Sequence, residues 1–416
     1  MDKILVYFLP FLFLQISFAQ NHNAHFIEDF LLMNQDSLGK EIIGNPEKYR
    51  LQIIYTQINR DKDNNPSFQA YHYRTDLNEY FYPASTVKLF TSALALEKIN
   101  KLKIKELDKT DIMLTDSVYK GQTSVKVDTT SESGLPSIAH YIKKILVASD
   151  NDAFNRLYEF IGQEPLNEIL KAKGFDDLRL THRLSISLSQ DENNHTNQVR
   201  FLDSNSKKLL FTQEGQFSVK DYTNQSDILL GKAYIKGDEL IETPMNFKEK
   251  NAVSLANLHQ LLLRLIFPEK FSTSEQFDLS ESDYQFLYQY MSQLPRETEY
   301  PDYRELPDNF CKFLMFGDKN ESQIPDHIRI FNKIGDAYGF SIDNAYIIDF
   351  KNNIEFALSA VIYTNKNETL NDGAYEYEQT AWPFMGVLGR ALYRYELDRK
   401  RKKSPNLTKF NFAYDK

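Results

Sequence analysis

The chain has 416 residues, 42% hydrophobic and 26% charged, enough to bury one large core or two modest ones. A net charge of -9 argues against a nucleic-acid partner, since phosphate binding needs an organised basic surface and the only basic run, Arg399 to Lys403, reads as a solvated helix end. The eight histidines show neither H-x-H-x-D nor H-E-x-x-H spacing and there is no Gly-rich phosphate loop, so neither a metal nor any other cofactor is expected.

The first element is an apolar run, Ile4 to Ile16, preceded by Lys3 and closed by the small-x-small string Ser17-Phe18-Ala19. It is too short to cross a bilayer, so residues 1–19 are expected to be a signal peptide and 20–416 a mature domain, periplasmic or secreted. The single cysteine, Cys311, lies far downstream, which leaves no site for a lipid anchor on the mature N-terminus and no intramolecular disulfide. Apolar spacing then predicts a helix over His25 to Asn34 and strands over Leu51 to Gln57 and Phe68 to Tyr73, around the polar turn Asp61 to Pro66. Helices are predicted over Thr86 to Lys98, Ser137 to Ala148, Asp152 to Ile161 and Glu164 to Lys173, and another from Ser254 to Leu262 after a polar stretch at 185–250. Three strands, Ile328 to Lys333, Asp343 to Phe350 and Ile354 to Tyr363, precede a last helix, Gln379 to Glu396. Strands at both ends of a helical middle predict an α+β fold with one antiparallel sheet assembled from both chain ends.

Three short strings carry the chemistry. S-x-x-K occurs four times, at Ser37, Ser85, Ser117 and Ser204, so the motif alone selects nothing. Only Ser85 follows a turn-like Tyr82-Pro83-Ala84 and opens an unbroken apolar helix, which places Lys88 on the same face one turn later. The free N–H groups of a first helical turn favour the negative charge that an acyl-transfer oxyanion develops, and a lysine takes a serine proton only when burial or nearby cations lower its pKa. The plainer alternative is a serine N-cap beside a solvated lysine. Ser149-Asp150-Asn151 is the only S-D-N in the chain and falls between two predicted helices, where Asp150 is also a natural N-cap. Lys333-Ile334-Gly335 is the only K-x-G, and alone it reads equally as a strand end before a glycine turn.

In this order the strings resemble the S-x-x-K, S-D-N and K-T-G elements of the serine β-lactamases and penicillin-binding proteins. Phe81 to Leu89 and Asp150 to Leu157 are similar to the corresponding class A β-lactamase segments, and the likeness runs from about Tyr49 to Tyr395 with one long interruption. The resemblance implies a Ser85 acyl-enzyme, with Lys88 as activating base and Ser149 as proton relay. It also implies that Asn151 bonds both the lysine and the substrate amide, and that Lys333 attracts the substrate carboxylate. Gly335 would permit close approach of the backbone, and the Asp336 N–H would complete an oxyanion hole with that of Ser85. The implied partner is a small molecule, a β-lactam or cell-wall peptide, handled by a monomer. A D-alanine carboxypeptidase or esterase relative, or a binding module that acylates without turnover, remains open.

Two departures matter. Ile334 replaces the hydroxyl residue that contacts the β-lactam carboxylate in the family, and an aliphatic side chain cannot make that bond. The loop glutamate that activates water for deacylation has one match by spacing, Glu242 in Glu242-Thr243-Pro244-Met245-Asn246, within the 185–250 insert. Tyr375, Tyr377, Trp382 and Phe384 are expected to serve packing, and Tyr119 and Tyr141 are candidates for a cleft wall.

Overall fold

The computed structural model describes residues 24–318 and 323–414, so the expected signal peptide at 1–19 lies outside the described residues. Two helices, α1 (Ala24–Asn34) and α2 (Ser37–Gly44), lead into strands β1 (Gln52–Arg60) and β2 (Pro66–Tyr73). A helical region follows, with α3 (Lys88–Leu102), strand β3 (Ile112–Asp116), α4 (Ile138–Ala148), α5 (Asn151–Ile161) and α6 (Gln163–Ala172). Beyond it come helix α7 (Gln190–Asn194) and strands β4 (Gln198–Leu202), β5 (Leu209–Gln213), β6 (Leu229–Leu230), β7 (Ala233–Lys236), β8 (Glu239–Ile241) and β9 (Met245–Asn246). The chain closes with α8 (Leu255–Ile266), α9 (Glu281–Ser292), β10 (Ile328–Ala337), β11 (Phe340–Asp349), β12 (Ile354–Tyr363), β13 (Thr369–Leu370) and α10 (Trp382–Asp398).

The main sheet is antiparallel in the order β10-β11-β12-β1-β2, so strands from both chain ends pair at the β12–β1 seam, as the sequence predicts. Both faces are covered, and the alternation of side chains sorts each strand's residues between two apolar layers. Ile347, Phe356, Leu358 and Ile362 pack with Phe384, Leu388 and Leu392 of α10, whereas Tyr346, Ile348, Ala357 and Val361 join Leu258 and Leu262 of α8 and the other helices.

One expectation changes, and one stretch left without predicted elements gains structure. β10 does not stop at Lys333 before a glycine turn; it continues through Gly335 and Asp336 to Ala337, and the turn is Tyr338-Gly339, with φ of 53 and 83°. Positive φ at both central residues is the two-residue hairpin geometry whose twist matches that of the strands. The polar stretch at 185–250 carries a short helix and six short strands. β4 joins β3 and β5 in a small sheet, and β7 pairs with β8 and, in parallel, with β13, tying the insert to the segment after β12.

One polar cluster fixes the loop that follows α9. Buried Asp343 of β11 accepts from the backbone N–H of Phe313 (3.1 Å) and Leu314 (3.0 Å) and from Asn332 Nδ2 (2.7 Å). Asn332 also donates to Cys311 O (2.8 Å) and accepts from Lys312 Nζ (2.6 Å). Asp343→Ala strands three buried donors and is expected to cost about 3 kcal/mol. Asp343→Asn, which keeps one acceptor oxygen, should cost less, and chemical denaturation of the two variants measures the difference.

Candidate active site

Ser85 sits in a 3-10 turn, Ala84–Val87, that feeds directly into α3. Thr86 closes the turn by donating to Pro83 O from its amide (3.1 Å) and its hydroxyl (2.6 Å). Ala84 is held at φ 48°, in the left-handed region, which costs a non-glycine residue on the order of 1–3 kcal/mol and persists only where the surroundings enforce it. The enforcing neighbour is β10. A Cβ placed on Gly335 would lie 2.8 Å from Ser85 N, 2.9 Å from Pro83 O and 3.0 Å from Thr86 N, so only glycine lets the strand and the turn meet. Gly335 is therefore a close-approach glycine, not a turn former. The serine N-cap alternative is not adopted: no side chain caps this turn, and among the described residues the Ser85 hydroxyl has no hydrogen-bond partner.

β10 is the outer strand of the sheet. Ladder pairs alternate from the hairpin, where Ala337 opposite Phe340 is the hydrogen-bonded pair, so Asp336 opposite Ser341 is a non-bonded pair. The Asp336 N–H thus points off the free edge, and Asp336 and Ser85 line the same cavity.

Ser149 caps the C-terminus of α4 in the left-handed conformation (φ 58°, ψ 36°), and Asp150 N-caps α5 by accepting from Ala153 N (2.7 Å). The S-D-N string thus ends one helix and starts the next, which aims Ser149 and Asn151 at Lys88. The fully buried Lys88 Nζ donates to Ser149 O, to Ser149 Oγ (3.3 Å) and to Asn151 Oδ1 (2.6 Å). All three acceptors are neutral, so burial, helped by the Lys333 charge, holds the Lys88 pKa well below that of an ordinary lysine. Buried Lys333 donates to Ser149 Oγ (2.8 Å) and to Ile334 O (3.0 Å), and burial pushes its pKa down to about 8. The Ser149 hydroxyl therefore accepts from both amines, which leaves its own proton free to be given away.

The cleft has two lobes that share Ser85, Asn151 and Asp336. One, of about 390 Å³, is walled by Pro307, Phe310, Phe313, Ile334 and Trp382, with Ser149 at its base. The other, of about 420 Å³, is walled by Tyr82, Leu184, Tyr338, Asn371 and Tyr375. The insert begins at the second lobe, where Ser185 Oγ accepts from Asn151 Nδ2 (2.8 Å). Trp382 and Tyr375, expected to serve packing alone, are cleft residues. Tyr141 is instead fully buried in the core, and Tyr119 stacks on His195 with ring centroids 3.6 Å apart, outside both lobes. The wall Pro307 to Phe313 escapes sequence reasoning because it carries no motif.

Glu242, the spacing match for a water-activating base, is exposed at the end of β8 and lines neither lobe. Among the described residues, Asp336 is the one carboxylate that lines them. Among the same residues no group of three His, Cys, Asp or Glu side chains is placed to hold a metal ion, and no helix is long and apolar enough to cross a membrane.

A sheet of both chain ends packed on helices, with a serine, two lysines, a second serine and an asparagine gathered at their junction, defines a hydrolase of the β-lactamase and penicillin-binding-protein class. The chain belongs to the β-lactamase enzyme family, whose model matches residues 69–395. Similar solved structures include a β-lactamase from Burkholderia ambifaria, 14% identical, covering 86% of this chain and 97% of that one with a TM-score of 0.46. Others are β-lactamases from Burkholderia phymatum (13% identical, 88% and 99% covered, TM-score 0.47) and Xanthomonas campestris (14%, 88% and 97%, 0.47). No curated protein sequence matches the chain.

Gly335→Ala should displace the Ser85 turn from β10. A shift on the order of 1 Å in a reacting group costs roughly 100-fold in rate. Labelling of Ser85 by a fluorophosphonate, followed by mass spectrometry, should slow by about that factor if the contact sets the geometry.

Proposed function

We propose that this protein is an exported serine hydrolase that works through an acyl-enzyme on Ser85. The observation that carries the reading is a fully buried lysine with only neutral acceptors, one turn from a serine whose hydroxyl is unpartnered and packed against a free strand edge. Lys88, in its neutral form, takes the Ser85 proton as Oγ attacks the substrate carbonyl carbon. The oxyanion is met by the N–H groups of Ser85 and Asp336, where the loss of one donor typically costs about 3 kcal/mol of barrier. Ser149 passes a proton to the leaving nitrogen or oxygen, with Lys333 and Lys88 holding its oxygen. Asn151 steadies Lys88 and offers its amide to the substrate, although in this structure Nδ2 is given to Ser185. Water then frees the acyl group.

The scissile bond of the closest functional name, β-lactamase, is a strained cyclic amide. Ile334 offers no hydroxyl to a β-lactam carboxylate, which favours the esterase alternative using the same steps, whereas the lack of a loop glutamate among the residues lining either lobe favours the binding module that acylates without turnover. Export rests on residues 1–19, whose removal would leave a periplasmic or secreted enzyme.

Intact-mass spectrometry over time, after exposure to penicillin and separately to a fluorophosphonate, tests the reading. The native protein should gain one adduct per chain with the phosphonate and Ser85→Ala none; a penicillin adduct that decays marks a β-lactamase, and one that persists marks a binding module. Absence of any Ser85 adduct would overturn the proposal.

The base assignment has a pH signature. Protonated Lys88 cannot accept the serine proton, so acylation should climb with pH and level off once the amine is neutral. Because burial lowers its pKa, the midpoint should fall well below that of a free lysine. Lys88→Ala should slow acylation by roughly 10²–10⁴-fold and abolish that midpoint.

A further inference from the structure

The two lobes of the cleft are not equivalent for a bond broken at Ser85. Ser149, the proton donor, lines the lobe of about 390 Å³ and not the other. A proton crosses only to an atom within hydrogen-bond reach, so the departing oxygen of an ester must stand against Ser149 Oγ. The rest of the departing alcohol then extends into the Ser149 lobe, and the acyl group turns toward Tyr82, Tyr338 and Tyr375 in the other. Lys88 Nζ donates to Ser149 Oγ (3.3 Å), which completes the transfer: Lys88 takes the Ser85 proton, and a proton returns through Ser149 to the alcohol. The bond from Ser85 Oγ to the acyl carbon forms as the C–O bond to the alcohol breaks. Water later takes the acyl group and restores the Ser85 hydroxyl.

What the Ser149 lobe offers an alcohol is apolar. Pro307, Phe310, Phe313, Ile334 and Trp382 wall it, and Phe313 stacks on Trp382 with centroids 5.1 Å apart and 28° between planes. Phe310, 41% exposed, forms the rim. The polar side chains in the wall are engaged within the protein: Asn309 Nδ2 donates to Phe316 O (2.8 Å), and the Asp336 carboxyl is buried against Trp382 Nε1 (3.1 Å) and the Ser341 side chain. Ser85, Ser149 and Asn151 are left to meet the reacting bond. Pockets of roughly 300–1,000 Å³ with apolar and aromatic walls and a few placed polar groups are the usual form of a small-molecule site. The other lobe is more mixed, setting tyrosines beside Ser185 and Asn371. Lys333 is buried and lines neither lobe, so its charge does not choose between uncharged alcohols.

We propose, resting on the acyl-enzyme reading above, that the Ser149 lobe is a leaving-group pocket and that the substrate is an uncharged ester whose alcohol carries an aromatic ring. Phe310, Trp382 and Ile334 determine this specificity: they take the ring out of water while Ser149 protonates the oxygen that bears it. The aliphatic side chain at position 334 suits that use, since a hydroxyl there would lose its hydrogen bonds to water against the ring.

The test is run on the full mature chain with two isomeric esters, benzyl propanoate, whose ring is on the alcohol, and ethyl phenylacetate, whose ring is on the acyl group. Each kcat/KM is divided by that ester's rate of alkaline hydrolysis. Burial of one aromatic ring is worth on the order of 10–100-fold, so the native protein is expected to favour benzyl propanoate at least tenfold. Phe310→Ala and, separately, Ile334→Thr should each shrink that ratio at least threefold, whatever happens to the absolute rates. A native ratio below threefold, or one that both substitutions leave unchanged, overturns the proposal. A second arm separates it from the acyl-enzyme reading. Trp382 is the only tryptophan of the chain, so its fluorescence reports on this lobe. The neutral quencher 4-nitrobenzyl alcohol is titrated into Ser85→Ala, with and without Phe310→Ala. Saturable quenching whose midpoint Phe310→Ala raises at least fivefold supports the pocket even if no reagent acylates Ser85. Quenching that stays linear in the alcohol, or that is indifferent to Phe310, overturns it even if Ser85 is acylated.

Discussion

The arrangement turns on a lysine amine buried without a counter-ion. An isolated ammonium in a low-dielectric interior is costly, and this holds the Lys88 pKa well below that of an ordinary lysine, the direction in which a serine needs its base shifted. The same burial dictates much of the architecture. Lys88 Nζ must find acceptors, and it finds them in Ser149 and Asn151, which belong to a different part of the chain. Ser149 supplies them only because it leaves α4 in the left-handed conformation, and Asn151 only because Asp150 restarts the helix at once. Lys333 then closes the cluster from the sheet by bonding the same Ser149 hydroxyl. The contacts that unite α3, the α4–α5 junction and β10 are the contacts that would tune the chemistry.

A second constraint is steric. The Ser85 turn and β10 touch at backbone distance, which needs an absent side chain at Gly335 and a free strand edge beyond it. β10 lies outermost because the β12–β1 seam joins the two chain ends inside the sheet, so the chain's late strands build outward from its first. That seam is held to α8 by a buried polar chain. Ser359 Oγ donates to Asn344 Oδ1 (2.5 Å) and so accepts from His259 Nδ1 (2.7 Å), which leaves His259 Nε2 to accept from Thr56 (2.8 Å). Each group has one tautomer or orientation that works, and burial pushes His259 down to about 3, consistent with a neutral ring.

Much of this was legible in the residues. The long strands of the main sheet and the helices from α3 to α6 carry runs of apolar side chains long enough to show their period, and their predicted limits differ from the observed ones by a few residues. The S-D-N string was readable because capping chemistry and site chemistry use the same atoms. The extension of β10 was not, because Gly335 has two physical uses, a turn or a close approach, and only the proximity of Ser85 N decides between them. The insert was opaque for another reason. Its strands are two to five residues long and partly exposed, too short to display alternation, and one of their partners, β13, lies more than a hundred residues away. α9 went unpredicted, since its seam of Tyr284, Leu287, Tyr288 and Met291 is interrupted by polar and aromatic residues of similar size.

The division between what motifs reveal and what they hide follows from the physics of the cleft. The proton-moving groups must meet at hydrogen-bond distance, which restricts their identity and spacing and leaves a trace in short strings. The walls need only be apolar and correctly placed, so Pro307, Phe310, Trp382 and Tyr375 come from segments with no spacing rule. Glu242 illustrates the converse, a residue with the right spacing on a strand end that never reaches the site. Asp336 stands between the two cases: its amide is fixed by the ladder of β10 beside Ser85, while its carboxyl is buried against Trp382 of α10.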